Sequence, residues 1–272
     1  MSAELPLAAG NAAGSDAMAS DVAASEAAAR DLAASDTTAP GVVEHAEGFS
    51  CALNGGARVL FSSRAQGNLS TLRGERAQDG RAARDRLCER LELQWLCASR
   101  QVHGSDVQLV RERAGSNGEA VAIDADGHAT PLRGIGAMVL TADCLPVAFA
   151  GGETPVVAVA HAGWRGLAAG VLEQAVQALR ELGASGQLEA AIGPGAGVCC
   201  YEVGPEVHAA FGLQSSAPAR IDLRAIARER LLAAGVSRVH EADACTICDA
   251  RFFSHRREAE RAGRQAGVAW LS

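Results

Sequence analysis

Val156-Val157-Ala158-Val159-Ala160 runs without a break into His161-Ala162-Gly163-Trp164-Arg165-Gly166, and an apolar stripe at Leu172, Val176 and Leu179 follows before Gly183. An uninterrupted apolar run reads as a strand covered on both faces. The stripe has helical spacing, and a glycine just past it is a usual C-terminal stop. Strand, glycine-containing loop and helix in that order are the elementary unit of an α/β fold. Two further segments repeat the strand half of this pattern. Ala137-Met138-Val139-Leu140-Thr141 is upstream, and Ala190-Ala191-Ile192 enters Gly193-Pro194-Gly195 downstream.

Further out, Val59-Leu60-Phe61-Ser62 reads as a strand, followed by a polar loop over 63–80. A helix is predicted over Ala82 to Leu91, with Leu87 and Leu91 on one face. Trp95-Leu96-Cys97-Ala98 and Val107-Gln108-Leu109-Val110 read as short strands. Asp222 is placed to cap a helix through Leu231, with Leu223, Ile226 and Leu231 inward and Gly235 at its end. The expected fold class is α/β: a single domain over 46–272 with a mixed sheet flanked by helices. Residues 1–45 are Ala, Ser, Asp and Gly with few large apolar groups, so burial there cannot offset the entropy of ordering. That segment is expected to be a disordered tail, with at most a marginal helix between Val22 and Leu32.

Composition narrows the function classes. With 48% hydrophobic residues, the 272-residue chain has enough apolar material for a large core. A net charge of −7 argues against general nucleic-acid binding, and 4% aromatics argues against stacking platforms for single strands. Runs of about 18 apolar residues, as a membrane span requires, are missing from the sequence. The N-terminus lacks a basic segment followed by an apolar one, so the protein is expected in the cytoplasm with its eight cysteines mostly reduced.

Three short segments carry the chemistry. Gln101-Val102-His103-Gly104, Thr141-Ala142-Asp143-Cys144-Leu145-Pro146 and His161-Ala162-Gly163-Trp164 each set a metal-ligating side chain near a strand terminus. His103, Cys144 and His161 are a two-imidazole, one-thiolate set that suits zinc and leaves a position for water or substrate. They are 41 and 17 residues apart, so they must converge from separate strand ends. Asp143 reads two ways: as an acceptor that orients a ligand histidine, or as a cap on the following turn. Arg165 adds a planar cation to a loop that opens a helix, which suits phosphate. The adjacent pair Cys199-Cys200 reads as packing or loop residues. Cys245-Thr246-Ile247-Cys248 has metal-binding spacing but no partner motif nearby, so a zinc site there reads as incomplete. The basic stretch around Arg256 and Arg257 reads as a solvated helix start or a contact for a substrate anion.

These blocks, in this order, resemble the YfiH/laccase-domain family, also called the purine nucleoside phosphorylase or polyphenol oxidase family. The resemblance rests on QVHGSDV at 101–107, TADCLPV at 141–147, HAGWRGLAAG at 161–170, GPGAGVCCYEVGPEV at 193–207 and the FFSHRRE…GR ending. It covers about residues 42–272 and implies a single YfiH-like α/β domain with zinc on His103, Cys144 and His161. It also implies phosphorolysis of adenosine, inosine, guanosine or methylthioadenosine, with adenosine deamination alongside. Nucleoside and phosphate would then be the partners, with neither nucleic acid nor membrane. Catalytic roles are expected for Cys144, Asp143 and Arg64, and substrate or phosphate contacts for Asn68, Trp164, Arg165 and Arg256. Two departures stand out. The family's glycine-rich segment is shortened here to Ser63-Arg64-Ala65-Gln66-Gly67-Asn68-Leu69-Ser70, with Arg64 and Asn68 as counterparts, and the family's tyrosine before the paired arginines is His255.

Other readings use the same residues. A copper phenol oxidase would need more histidines than seven for a multicopper centre, or an axial methionine, for which Met138 stands outside the tail. A cysteine hydrolase would use Cys144 with His103 or His161 as base. A purely bracing metal would need a fourth protein ligand.

Overall fold

The computed structural model describes residues 41–113 and 120–272, which belong to one compact unit, Ala39–Ser272. The expectations for the low-complexity tail, including a helix between Val22 and Leu32, lie outside the described residues as far as residue 40. Val43–His45, inside the segment that composition assigned to the tail, pairs as an edge strand with the strand that follows it.

The strands are β1 Val43–His45, β2 Gly48–Leu53, β3 Ala57–Ser62, β4 Trp95–Arg100, β5 Val107–Leu109, β6 Ala120–Asp124, β7 Gly127–Thr130 and β8 Ile135–Thr141. They continue as β9 Leu145–Gly151, β10 Val157–Ala162, β11 Leu188–Ile192, β12 Glu202–Val203, β13 Ala219–Arg220, β14 Val236–Glu241 and β15 Gln265–Leu271. The helices are α1 Gly80–Arg90, α2 Trp164–Ala169, α3 Val171–Glu181, α4 Pro205–Ala210, α5 Leu223–Ala233 and α6 His255–Glu258.

The fold is mixed α/β, but it has two large sheets where the sequence led us to expect one. One sheet runs β1-β2-β3-β15-β8-β4-β6 and the other β14-β11-β9-β10-β7-β5, with β12 and β13 as a separate ribbon. Side chains alternate between three apolar clusters. Phe61, Val59 and Val139 meet Ala148, Val157 and Val159 between the sheets. Leu60, Met138 and Val268 point the other way, onto Leu87 and Leu91 of α1 and its end. Val147, Phe149, Ala158 and Ala160 face Leu172, Val176 and Leu179 of α3 and Leu231 of α5. A strand covered by helices on one face and by a second sheet on the other has the same continuous apolar run as one covered by helices on both. That is why the sequence could not count the sheets.

The helix expected from Gly163 to Gly183 is broken. Gly170 adopts φ +94°, ending six-residue α2 and starting eleven-residue α3. The dipole available to the loop after His161 is therefore that of a helix of less than two turns. The stripe of α3 is as expected, and burying each of its Leu and Val side chains is worth about 1.5–3 kcal/mol. Asp222 caps α5 as read, its carboxylate accepting from the amides of Arg224 and Ala225 at 3.0 Å each. Asp222→Ala is expected to lower stability by about 1 kcal/mol. Urea denaturation would measure it, and an unchanged midpoint would count against the cap.

From β4 to β9 the chain crosses between the sheets repeatedly. Residues 101–106 link β4 to β5, Ala125 and Asp126 link β6 to β7, and residues 142–144 link β8 to β9. These crossovers lie alongside the end of β10.

Candidate metal and active site

His103 sits in the first crossover in a left-handed conformation, φ +62°. Gln101 secures this loop by pairing through its side chain with both backbone groups of Leu140 at 2.8 Å. Cys144 closes the 142–144 turn one residue before β9, while His161 is the next-to-last residue of β10, opposite Pro146 of β9. The ligating atoms of His103, Cys144 and His161 lie within 4.8 Å of one another. The two imidazole rings meet edge to face, with centroids 4.8 Å apart. The space is tight: a Cβ on Gly163 would stand 2.8 Å from the Cys144 sulfur and 3.1 Å from Cδ2 of His103. His161 is buried, Cys144 half-buried and His103 exposed, so the cluster opens to solvent on the His103 side.

The side chain that organises the cluster is Asp126, which is fully buried. His161 Nδ1–H donates to its Oδ1 at 2.8 Å, leaving Nε2 of that ring for a metal. The amides of Val102, His103 and Gly104 donate to the same carboxylate at 3.0, 2.9 and 2.7 Å. One buried charge thus fixes the ring of one ligand and the loop of another, as carboxylates behind metal-bound histidines commonly do. Burial by itself pushes the Asp126 carboxyl up. The hydrogen bond and charge of His161, with the loop amides, outweigh burial and hold it below the usual carboxylate range.

The thiol of Cys144 is also displaced. Burial opposes ionisation, but the charge of His161 and the hydrogen bonds from His103 and His161 overcome it, drawing the thiol down to about 6. His161 moves the opposite way for the same reason: its burial disfavours the cation, while Cys144 and Asp126 hold the ring up. A thiolate between two imidazoles suits a borderline divalent cation such as zinc. The donor set therefore fits such an ion.

The remaining residues singled out in the sequence are placed as follows. Asp143, left-handed at φ +89°, accepts from Thr246 Oγ1 on Oδ1 and from the Arg256 amide on Oδ2, both at 2.7 Å. It ties the ligand turn to the 245–256 segment, and the carboxylate on the histidine is that of Asp126. Arg64 donates to the Phe252 carbonyl at 3.1 Å, pairs with Glu258 and lies over the Phe253 ring. Asn68 is buried. Its amide donates to the carbonyls of Arg73 and Glu75, and its oxygen accepts from the amides of Ser70 and Arg264. Trp164 opens α2, with the Arg165 guanidinium 4.3 Å above its ring. Arg256 donates to the Glu202 carbonyl and covers the Tyr201 ring at 4.9 Å. Tyr201 is buried, and its hydroxyl is pushed up by that burial and by the nearby Cys144 charge.

Sequence reasoning missed Asp126 and Tyr201. Asp126 stands in Asp124-Ala125-Asp126-Gly127, an ordinary polar turn by its sequence and 35 residues from the histidine it orients. Its one available signal was that it too directly precedes a strand, as Cys144 does.

The family described as "Multi-copper polyphenol oxidoreductase laccase" matches residues 48–272. A purine nucleoside phosphorylase from Xylella fastidiosa is 42% identical over 223 residues, covering 75% of this chain and 84% of that protein. A purine nucleoside phosphorylase from Pseudomonas aeruginosa is 42% identical over 203 residues, covering 69% and 78% respectively. The crystal structure of YlmD from Geobacillus stearothermophilus superposes with a TM-score of 0.74 at 29% identity, covering 85% of this chain and 98% of that one. The matched span holds both sheets except the edge strand β1, all three ligand-bearing segments and Asp126, and this chain belongs to the laccase-like family that also includes YfiH and YlmD.

Proposed function

We propose that the protein is a zinc-dependent purine nucleoside phosphorylase acting on adenosine, inosine, guanosine and methylthioadenosine, with adenosine deamination as a second activity. The observation that carries this reading is the convergence of His103, Cys144 and His161 around one point with the His161 ring locked by buried Asp126. The naming of relatives 42% identical to this chain as purine nucleoside phosphorylases supports the substrate class. His103 Nδ1 or Nε2, Cys144 Sγ and His161 Nε2 would hold the ion. When bound, zinc with an open position supplies a Lewis acid and an activated water.

The chain's own groups do the rest. Asp126 keeps His161 in one tautomer and one orientation. Trp164 and Arg165 directly follow Gly163, which packs against the Cys144 sulfur and His103, and the Arg165 guanidinium stacked on the Trp164 ring would supply charge for phosphate. Arg256, on the rim with Tyr201, is a second cation for phosphate. Arg64 is engaged by Glu258, and the Asn68 amide is engaged on both its oxygen and its nitrogen. We therefore assign these two to positioning the wall of the site around Phe253 and Arg264. Eight free cysteines suit a reducing cytoplasm.

Zinc is preferred to the copper in the family description on the distribution of donors. Of the seven histidines, only His103 and His161 share a ligand cluster among the described residues. Met138, the one methionine in view as an axial ligand, packs in the cluster beneath α1.

Incubating zinc-loaded protein with adenosine is expected to yield adenine and ribose 1-phosphate only when phosphate is present, and inosine in its absence. Stoichiometric copper with phenol oxidation, or no turnover of any purine nucleoside, would overturn the proposal. One observation favours a second reading: the Cys144 sulfur lies within 4.8 Å of the His161 ring, whose Nδ1 donates to Asp126, in the order of a thiol–imidazole–carboxylate triad. A strong zinc chelator separates the two. It abolishes activity in a metal enzyme, whereas a cysteine nucleophile keeps or gains activity.

A further inference from the structure

The fold supplies what the Cys245–Cys248 motif lacked in the sequence. A bridge between Gly195 and Cys245, with the Thr246 amide donating to the Gly195 carbonyl at 3.0 Å, lays the glycine-rich loop after β11 against the 245–248 turn. This brings Cys199 and Cys200 over Cys245 and Cys248, so that all four sulfurs lie within 4.8 Å of one another. Cys248 is 2.9 Å from Cys200 and 3.4 Å from Cys199. Four thiolates about 2.3 Å from one tetrahedral ion stand about 3.8 Å apart, within the observed range. An iron–sulfur cluster, with several metal atoms inside the cage, spreads its cysteine sulfurs further.

Core packing does not explain this grouping. Cys51, Cys88 and Cys97 are the buried cysteines, whereas Cys199 and Cys248 are exposed and Cys200 and Cys245 half-buried. The backbone around Cys245 is arranged for a thiolate. The Gly197 amide donates to its sulfur at 3.2 Å. Gly197 has the room it needs only as glycine, since a Cβ there would stand 3.1 Å from Cβ of Cys245 and 3.4 Å from the sulfurs of Cys199 and Cys245.

We propose that Cys199, Cys200, Cys245 and Cys248 form a second metal site, which binds one zinc ion as a closed tetrathiolate. Four protein ligands leave no open position, so this ion is structural. It clamps the loop after β11 to the turn that carries Thr246, whose hydroxyl holds Asp143 beside Cys144. It also fixes the segment leading to Tyr201 and Arg256. The proposal is independent of the catalytic reading.

The test is metal content and spectroscopy of the full-length protein, purified under reducing conditions with zinc. Wild type is expected to hold two zinc ions per chain and Cys144→Ala one. Cobalt added to zinc-depleted Cys144→Ala is expected to show the intense thiolate charge-transfer bands of a tetrahedral tetrathiolate centre. Cys248→Ser is expected to lose one ion and to retain the one on His103, Cys144 and His161. Should Cys248→Ser fail to fold, the cobalt spectrum of Cys144→Ala still decides. Any of three results would overturn the site: Cys144→Ala without metal, iron in place of zinc, or a Cys200–Cys248 disulfide in the reduced preparation found by mass spectrometry.

Discussion

Asp126→Ala is expected to destabilise the protein by about 3–5 kcal/mol and to weaken metal binding at the same time. The carboxylate is the acceptor for three consecutive amides and for His161, and it is fully buried. Each stranded buried donor costs about 1–3 kcal/mol, with part recovered by water entering the vacated volume. Urea denaturation of the metal-free protein measures the first effect, and zinc titration the second. Asp126→Asn retains an acceptor oxygen but turns an NH2 toward a donor, so it should lose less stability while metal affinity falls about 10–100-fold. Equal stability of wild type and Asp126→Ala would show that Asp126 does not hold the crossovers together.

The same carboxylate sets an acid limb. Its folded-state pKa lies below the unfolded value of 3.8, so its stabilisation is complete above that pH and disappears as pH falls through the lowered value. The Asp126→Ala protein should have a flatter stability profile in that acid window.

Cys144→Ala divides its effects the other way. The side chain is half-buried, at the mouth of the site and in a turn rather than in an apolar cluster. Stability of the metal-free protein should therefore change by no more than about 1 kcal/mol. Activity should fall by more than the roughly 100-fold that marks the loss of an outer partner, because a ligand itself is gone. The ion on the His103–Cys144–His161 site should go with it. Steady-state kinetics with metal analysis on one preparation decide this. A variant retaining both the ion and phosphorolysis would remove Cys144 from the reaction.

Cys144 and His161 were legible because each ends or adjoins a long apolar run, whereas His103 lies in the polar loop between the short strands β4 and β5. Long apolar runs are signals that survive without knowledge of their partners. The bracing around the ligand set was not legible. Asp143, beside Cys144 in sequence, could be read as orienting a histidine or as capping the turn, and its carboxylate accepts from the Thr246 hydroxyl and the Arg256 amide. Arg64 was expected to act in catalysis as a motif counterpart, and the fold places Glu258, 194 residues away, beside it.

What the sequence determined by itself is local: β8 and β10, the stripe of α3, the cap at Asp222, and the kinds of side chain at strand termini. These follow from periodicity and hydrogen-bonding preference within a few residues. The tertiary structure alone decided that the core strands divide into two facing sheets, that Asp126 sits behind His161, and that two pairs of cysteines 45 residues apart share one corner. Each of these depends on which distant segments the sheet crossovers bring together, and chain separation carries no information about that.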